Sequence, residues 1–205
     1  MAVTFSPRFV TETDEKPPWT DCTWAAALML ANKASKGQYP ATRIERELLR
    51  DASGDHFGGS NLDDVAKGIK ARYGWTLNPL RPTWEQILRR LALGDGALVT
   101  GLYSRLPDHF TRWDRPFAAK GMGSGHAAYV QGHDRGGNVH LDTNGLPKDV
   151  FWCDPLGRRL PGQTAAQAYR GEWMPANVLR DFLLHLDSDQ YYTALAAQGS
   201  VPKGD

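Results

Sequence analysis

The chain has 205 residues, of which 41% are hydrophobic and 23% charged, so one globular domain with a substantial core is expected. A formal net charge of +1 argues against a nucleic-acid binder that neutralises phosphates. Two cysteines, Cys22 and Cys153, are too few for a disulfide framework. Residues 1–19 contain no apolar signal-peptide core. We therefore expect synthesis in a cytoplasm, release by lysis or within a virion, and no membrane or nucleic-acid partner.

The first strong element is an apolar segment, Trp24–Ala31, which contains no polar residue and is too short to cross a bilayer. It predicts a helix buried in a protein core, capped by Thr20 or Asp21 and running to about Lys36. Cys22 then falls at or next to the helix N-terminus, where unpaired N–H groups and the helix dipole favour a nucleophilic thiolate. The alternative is that Cys22 is simply a small buried hydrophobic residue.

Helical patterns continue up to residue 94. The first predicted segment is Arg43–Asp51, with Ile44, Leu48 and Leu49 on one face. The others are Leu62–Tyr73 behind a Ser60–Asp63 capping box, and a helix opened by Thr83 and closed by Gly94. Trp75–Leu80 is a candidate short strand.

The pattern changes at Ala97. Strands are predicted over Ala97–Tyr103, His126–Gly132, Asn138–Asp142 and Asp149–Cys153, with a hairpin at Asn144-Gly145. A last helix is predicted over about Pro175–His185, with Val178, Leu179, Phe182, Leu183 and Leu186 inward. This order predicts one α+β domain with helices packed on an antiparallel sheet. Its parts are a helical part at about 19–94, a sheet part at about 97–160, a C-terminal helix at about 175–186 and a flexible tail at 194–205.

A cysteine nucleophile needs a base within hydrogen-bond reach and a third group that holds the tautomer of that base. Among the six histidines, His126 is the best candidate because it begins an apolar strand directly after the small residues Gly121–Gly125. The alternative is a core histidine bonded to a carbonyl. Asp154, at the end of the fourth strand, is the first candidate for the third group. Asp142 and Asn144 are alternatives, and all three could instead serve in turns.

The connection from Ser104 to Ser124 is long and carries aromatic and basic residues, including Trp113. Loops of this length are usually functional or disordered. We expect a lid or substrate wall for an extended anionic ligand, or else a surface loop pinned by its own aromatic residues.

Several short motifs, in order over roughly residues 16–160, resemble the papain-like cysteine peptidases. They are Asp21-Cys22, Gly58-Gly59-Ser60, His126-Ala127 and Asp154-Pro155. The closest branch is the double-glycine (bacteriocin-leader) peptidases and their phage-encoded relatives. The resemblance implies a papain-like fold with Cys22 as nucleophile, His126 as general base and acid, and Asp154 as orienting group, and neither cofactor nor metal. Candidate groove residues are Trp19, Gly59, Ser60, Trp113 and Gly125.

One departure from the family concerns the oxyanion hole, where a Gln usually precedes the Cys. No Gln precedes Cys22 here, so Lys16 or Thr20 would have to supply the second donor beside the Cys22 N–H. Loss of one such donor commonly costs about 10²–10³ in rate.

The expected function is a cysteine peptidase or amidase acting on a peptide or peptidoglycan, as a phage lysin or a virion-associated peptidase with other virion proteins as partners. One alternative is a catalytically weak or inactive domain with a structural or binding role. Another is a Cys-His-Asp acyltransferase, which the sequence does not separate from a hydrolase because both form an acyl-enzyme.

Overall fold

A computed structural model describes residues 22–54, 61–77, 81–107, 110, 125–155, 171–183 and 193–195. The helices of this part are α1 (Cys22–Ala34), α2 (Arg43–Ser53), α3 (Leu62–Tyr73), α4 (Trp84–Ala92) and α5 (Ala176–Phe182), and a short 3₁₀ turn covers Tyr103–Arg105. The strands are β1 (Gly96–Leu102), β2 (Gly125–Gln131), β3 (Asp149–Cys153), β4 (Glu172–Pro175) and β5 (Thr193–Leu195).

The centre of the fold is a five-stranded antiparallel sheet in the order β4-β3-β2-β1-β5. Helix α1 packs on its middle strands, and every residue from Trp24 to Ala31 is completely buried. The predicted α+β class and the buried first helix are therefore confirmed. An all-apolar surface explains this position, because a helix without a polar face cannot border water.

Both faces of the sheet are covered by helices. Tyr129 on β2 packs in the cluster that contains α1, whereas its neighbours Ala128 and Val130 pack in a second cluster with residues of α4 and α5. Side chains of a strand alternate between faces, so one strand contributes to both clusters. This explains why β1 is buried on both sides over most of its length, as its largely apolar sequence predicted.

The strand prediction for Asn138–Asp142 was wrong. Val139 and Leu141 make only isolated bridges, to His133 and Pro147, and are 52% and 43% exposed. The segment folds as a small hairpin outside the sheet. In the sheet itself β3 lies directly beside β2, with no strand between them.

The C-terminal segments also differ from the prediction. Pro175 ends β4 rather than opening the last helix, which covers only Ala176–Phe182. Ala194 and Leu195, assigned to the tail, pair with β1 as part of β5. Both strands are short, four and three residues, and too brief to show a period-2 pattern. Leu186 lies outside the described residues.

Of the three apolar residues predicted to share one face of α2, Leu49 alone is buried. Ile44 and Leu48 are 69% and 41% exposed. The buried residues of α2 are Glu45, Arg46 and Leu49. Glu45 turns toward α3 because its carboxylate accepts two hydrogen bonds from Arg72 and one from the hydroxyl of Tyr73. A charged network therefore decides which face of α2 points inward.

Helix boundaries agree with the sequence within a few residues. Thr83 caps α4 as predicted, in a capping box with Gln86, whereas the box before α3 is Asn61–Asp64 rather than Ser60–Asp63. Helix α1 ends at Ala34, before Gly37 with a left-handed φ of 89°. The candidate strand over 75–80 is not formed at residues 75–77, and residues 78–80 are not described.

A buried polar contact joins the far ends of α1 and β2. Lys33 Nζ lies 2.8 Å from His133 Nε2, and His133 Nδ1 donates to the carbonyl of Asp134 at 2.8 Å. Burial lowers the pKa of Lys33 to about 8, while nearby Asp95 opposes this shift. This contact ties together the last turn of the helix that begins at Cys22 and the segment that follows the strand of His126.

The stability of the protein is expected to fall as the pH drops below about 6.5, the usual pKa of histidine. Burial and the positive charge of Lys33 lower the pKa of His133 in the folded state, despite an opposing hydrogen bond to Asp134. Below this pH the unfolded chain binds a proton that His133 in the folded protein does not bind. The free energy of unfolding therefore falls by at most about 1.4 kcal/mol per pH unit. Urea titrations of wild type and His133→Gln between pH 5 and 7 measure this, and an equally steep fall in the variant would contradict it.

Candidate active site

Cys22 is the first residue of α1 and is half-buried. The first N–H groups of a helix have no partner within it, so the backbone N–H at this position is available to a bound anion. The thiol sulfur lies 3.9 Å from the hydroxyl of Thr23, and the first turn contains no acidic residue. The position combines a nucleophilic atom with a donor that could bind a developing oxyanion.

His126 and Asp154 are in direct contact. His126 is the second residue of β2, Asp154 follows the last residue of β3, and Nε2 of the imidazole lies 2.7 Å from Oδ1 of the carboxylate. Their side chains are 7% and 10% exposed, which places the pair in a largely water-free environment. A neutral imidazole with Nε2–H directed at Asp154 has its lone pair on Nδ1.

The charge state of His126 depends on both neighbours. Burial acts to lower the pKa of the imidazole, but the charge and hydrogen bond of Asp154, together with a hydrogen bond and charge interaction with Cys22, raise it well above the usual range. Cys22 and Asp154 therefore both favour the charged form of the same imidazole. The imidazolium form of His126 is therefore favoured at neutral pH.

The alternative third residues have turn roles. The carboxylate of Asp142 accepts the N–H groups of Asn144 and Leu146 at 2.8 and 2.9 Å. Asn144 lies on the hairpin and lines a surface cavity with Glu85 and Arg89 of α4. Of the three candidates, Asp154 is the one that contacts His126.

Cys153 is separate from this arrangement. Both cysteines are free thiols, so the prediction that they do not form a disulfide is confirmed. Cys153 packs in the cluster of α1, whereas Trp152 packs in the opposite cluster, as alternation along β3 requires. Burial raises the pKa of the Cys153 thiol to about 12, so it is chemically inert at neutral pH.

Both oxyanion candidates, Lys16 and Thr20, lie outside the described residues. The same holds for the groove candidates Trp19, Gly59, Ser60 and Trp113, and for residues 108–109 and 111–124 of the long loop. Gly125 is described; it is exposed and pairs with Leu102, and an added Cβ would meet no atom of the described residues within 4 Å.

Two features near the histidines were missed by the sequence analysis. The ring of Tyr103 packs edge-on against that of His126, with centroids 4.8 Å apart and planes at 79°. A second histidine–carboxylate pair, His140 and Asp149, is joined at 2.9 Å and stacked on Trp173. The position of Tyr103 beside His126 could have been predicted in principle. Tyr103 directly follows β1, and β1 pairs with the strand that begins at Gly125 and contains His126. The second pair depends on the fold of the hairpin, which has no local signal.

The part of the chain that the structure describes contains no group of three or more His, Cys, Asp or Glu residues suited to a metal ion. Within the same residues, no helix has the length and hydropathy needed to span a bilayer.

The fold is thus an α+β architecture that contains a buried histidine–carboxylate pair and a cysteine at the head of a buried helix. No family model and no curated protein matches the sequence. One solved structure with a similar fold is described as a "putative C39-like peptidase" from Bacillus anthracis. The two chains share 12% identity with a TM-score of 0.49, over 94% of this chain and 95% of the other. A likeness of this degree carries no argument about activity, which has to rest on the site.

Proposed function

We propose that this chain is a papain-like cysteine peptidase or amidase that acts through an acyl-enzyme. The observation that carries the proposal is the 2.7 Å contact between His126 and Asp154, on an imidazole that also interacts with Cys22. Nucleophile, base and orienting group in this relation are the minimum set for covalent acyl transfer. The resemblance of the sequence motifs to papain-like peptidases supports the same conclusion.

In the proposed reaction, the imidazole of His126 accepts the thiol proton of Cys22, and Asp154 stabilises the resulting imidazolium. The thiolate attacks the substrate carbonyl carbon, and the oxyanion that forms is stabilised by the N–H of Cys22. The imidazolium then protonates the leaving amine as the C–N bond breaks, which leaves a thioester on Cys22. His126 finally takes a proton from water, whose oxygen attacks the thioester and releases the acid and the thiol.

In this mechanism Asp154 has a holding role. Its contact with Nε2 supports the tautomer in which Nδ1 would accept the proton of Cys22. Because both side chains are nearly buried, their attraction is weakly screened by solvent. The carboxylate can therefore keep the imidazole oriented throughout the cycle without itself accepting the proton.

We further propose a peptide or peptidoglycan amide as the substrate and a phage lysin or virion-associated setting. Both extend the resemblance to double-glycine peptidases and their phage relatives. An acyltransferase would use the same steps up to the thioester, so the released product decides between water and another acceptor.

Iodoacetamide is expected to alkylate Cys22 much faster than Cys153. Cys22 is half-buried at the start of α1, whereas Cys153 is 5% exposed and burial keeps its thiol protonated. Peptide mapping by mass spectrometry after timed exposure measures both rates. Cys153→Ser is the matched control and should leave the labelling of Cys22 unchanged. Slow labelling without preference between the two cysteines, and without dependence on His126, would contradict the proposal.

A further inference from the structure

Tyr103 occupies a distinctive place beside the candidate site. It is the first residue of the 3₁₀ turn that follows β1, directly after Leu102, which pairs with Gly125. This register brings the tyrosine alongside His126, whose Cα partner across the ladder is Gly101. Tyr103 is 6% exposed, and its ring meets the imidazole edge-on at a centroid distance of 4.8 Å.

The contact with Asp154 leaves one degree of freedom of the imidazole poorly restrained. A single hydrogen bond at Nε2 fixes the direction of that atom, but it resists a tilt of the ring about the bond only weakly. Such a tilt would move Nδ1 away from the thiol. An aromatic wall at 79° to the imidazole plane opposes this movement by steric contact.

We propose that Tyr103 is a positioning residue for His126, holding the imidazole so that Nδ1 faces Cys22 while Nε2 stays on Asp154. This inference rests on the proposed function and adds a fourth residue to it. The competing explanation is that Tyr103 only fills the second core cluster, to which it belongs. A purely structural role would change stability without changing the chemistry of the thiol.

The test is the pH dependence of Cys22 alkylation by iodoacetamide, in wild type and three variants. Tyr103→Leu should slow labelling near neutral pH by roughly tenfold and move the acid limb of the profile to higher pH, because an imidazole that can tilt no longer keeps Nδ1 directed at the thiol. Tyr103→Phe keeps the ring and should retain the wild-type profile. Phe182→Leu removes an aromatic ring from the same cluster, one that packs on Trp152 at 5.1 Å, and should leave the limb in place.

The outcomes distinguish a failure of the positioning role of Tyr103 from a failure of the proposed function. If wild-type labelling depends on His126 but Tyr103→Leu keeps the wild-type limb, the positioning role is wrong and the proposed function stands. If wild-type labelling is slow and independent of His126, both fail together. Should Tyr103→Leu not fold, Tyr103→Met replaces it, since the flexible methionine fills irregular space with less disruption.

Discussion

Replacing His126 with glutamine is expected to lower turnover by about 10²–10⁴, the usual contribution of a positioned acid–base group. Glutamine can still donate an N–H to Asp154, so the buried carboxylate is not left unpaired, but it cannot accept the thiol proton. Release of labelled fragments from casein and of soluble peptides from peptidoglycan measures the loss. Iodoacetamide labelling of Cys22 should also be slower in His126→Gln than in wild type. This labelling assay does not require the natural substrate to be known.

His140→Gln is the matched control for this experiment. His140 also pairs with an aspartate, Asp149 at 2.9 Å, but it stacks on Trp173 and its side chain is 39% exposed. Its replacement should leave turnover and labelling within experimental error of wild type. Equal effects of His126→Gln and His140→Gln would show that loss of any histidine–carboxylate pair perturbs the protein, and would remove the basis for assigning His126 a direct role.

The second large effect is expected from Gly101→Ala. A Cβ atom at this position would lie 1.9 Å from the carbonyl oxygen of Phe182, an impossible approach between a methyl group and backbone. Gly101 sits where the chain after α5 bridges to β1 through Leu183, so the clash would push the end of that helix off the sheet. We expect a loss of about 3 kcal/mol or more in the free energy of unfolding, at or above the upper range for overpacking. Urea denaturation measures it.

Gly125→Ala serves as the comparison on the partner strand of the same ladder. Gly125 pairs with Leu102, has space around an added Cβ and does not adopt a left-handed φ. Its substitution should change the free energy of unfolding by less than about 0.5 kcal/mol, the usual range for exposed positions. Similar losses in the free energy of unfolding for both variants would mean that any side chain destabilises this ladder through the backbone. The clash with Phe182 would then not be the cause of the loss in Gly101→Ala.

The two predictions concern one region of the molecule. Gly101 pairs with His126 across β1 and β2, and the backbone of Phe182 packs against Gly101 from the other side. The strand that holds the proposed base is therefore supported by α5. A destabilised variant such as Gly101→Ala should lose labelling selectivity only as it unfolds, whereas His126→Gln should lose it in the folded protein.

Local sequence determined the elements that carry the proposed site. An uninterrupted apolar segment requires a buried helix, and its polar flank places Cys22 at the start of that helix. Apolar strands bounded by small residues or proline put His126 at the start of one strand and Asp154 at the end of another. These signals are short-range periodicities and breakers, and each acts within a few residues of the group it positions.

The tertiary structure alone decided how these elements combine. The contact between His126 and Asp154 joins two strand ends 28 residues apart, and the approach of Tyr103 depends on the register of β1 with β2. The contact of Lys33 with His133 spans 100 residues and has no counterpart in any local pattern. Strand order, register and the packing of helices on both faces follow from summed long-range contacts, which a linear pattern of polarity does not encode.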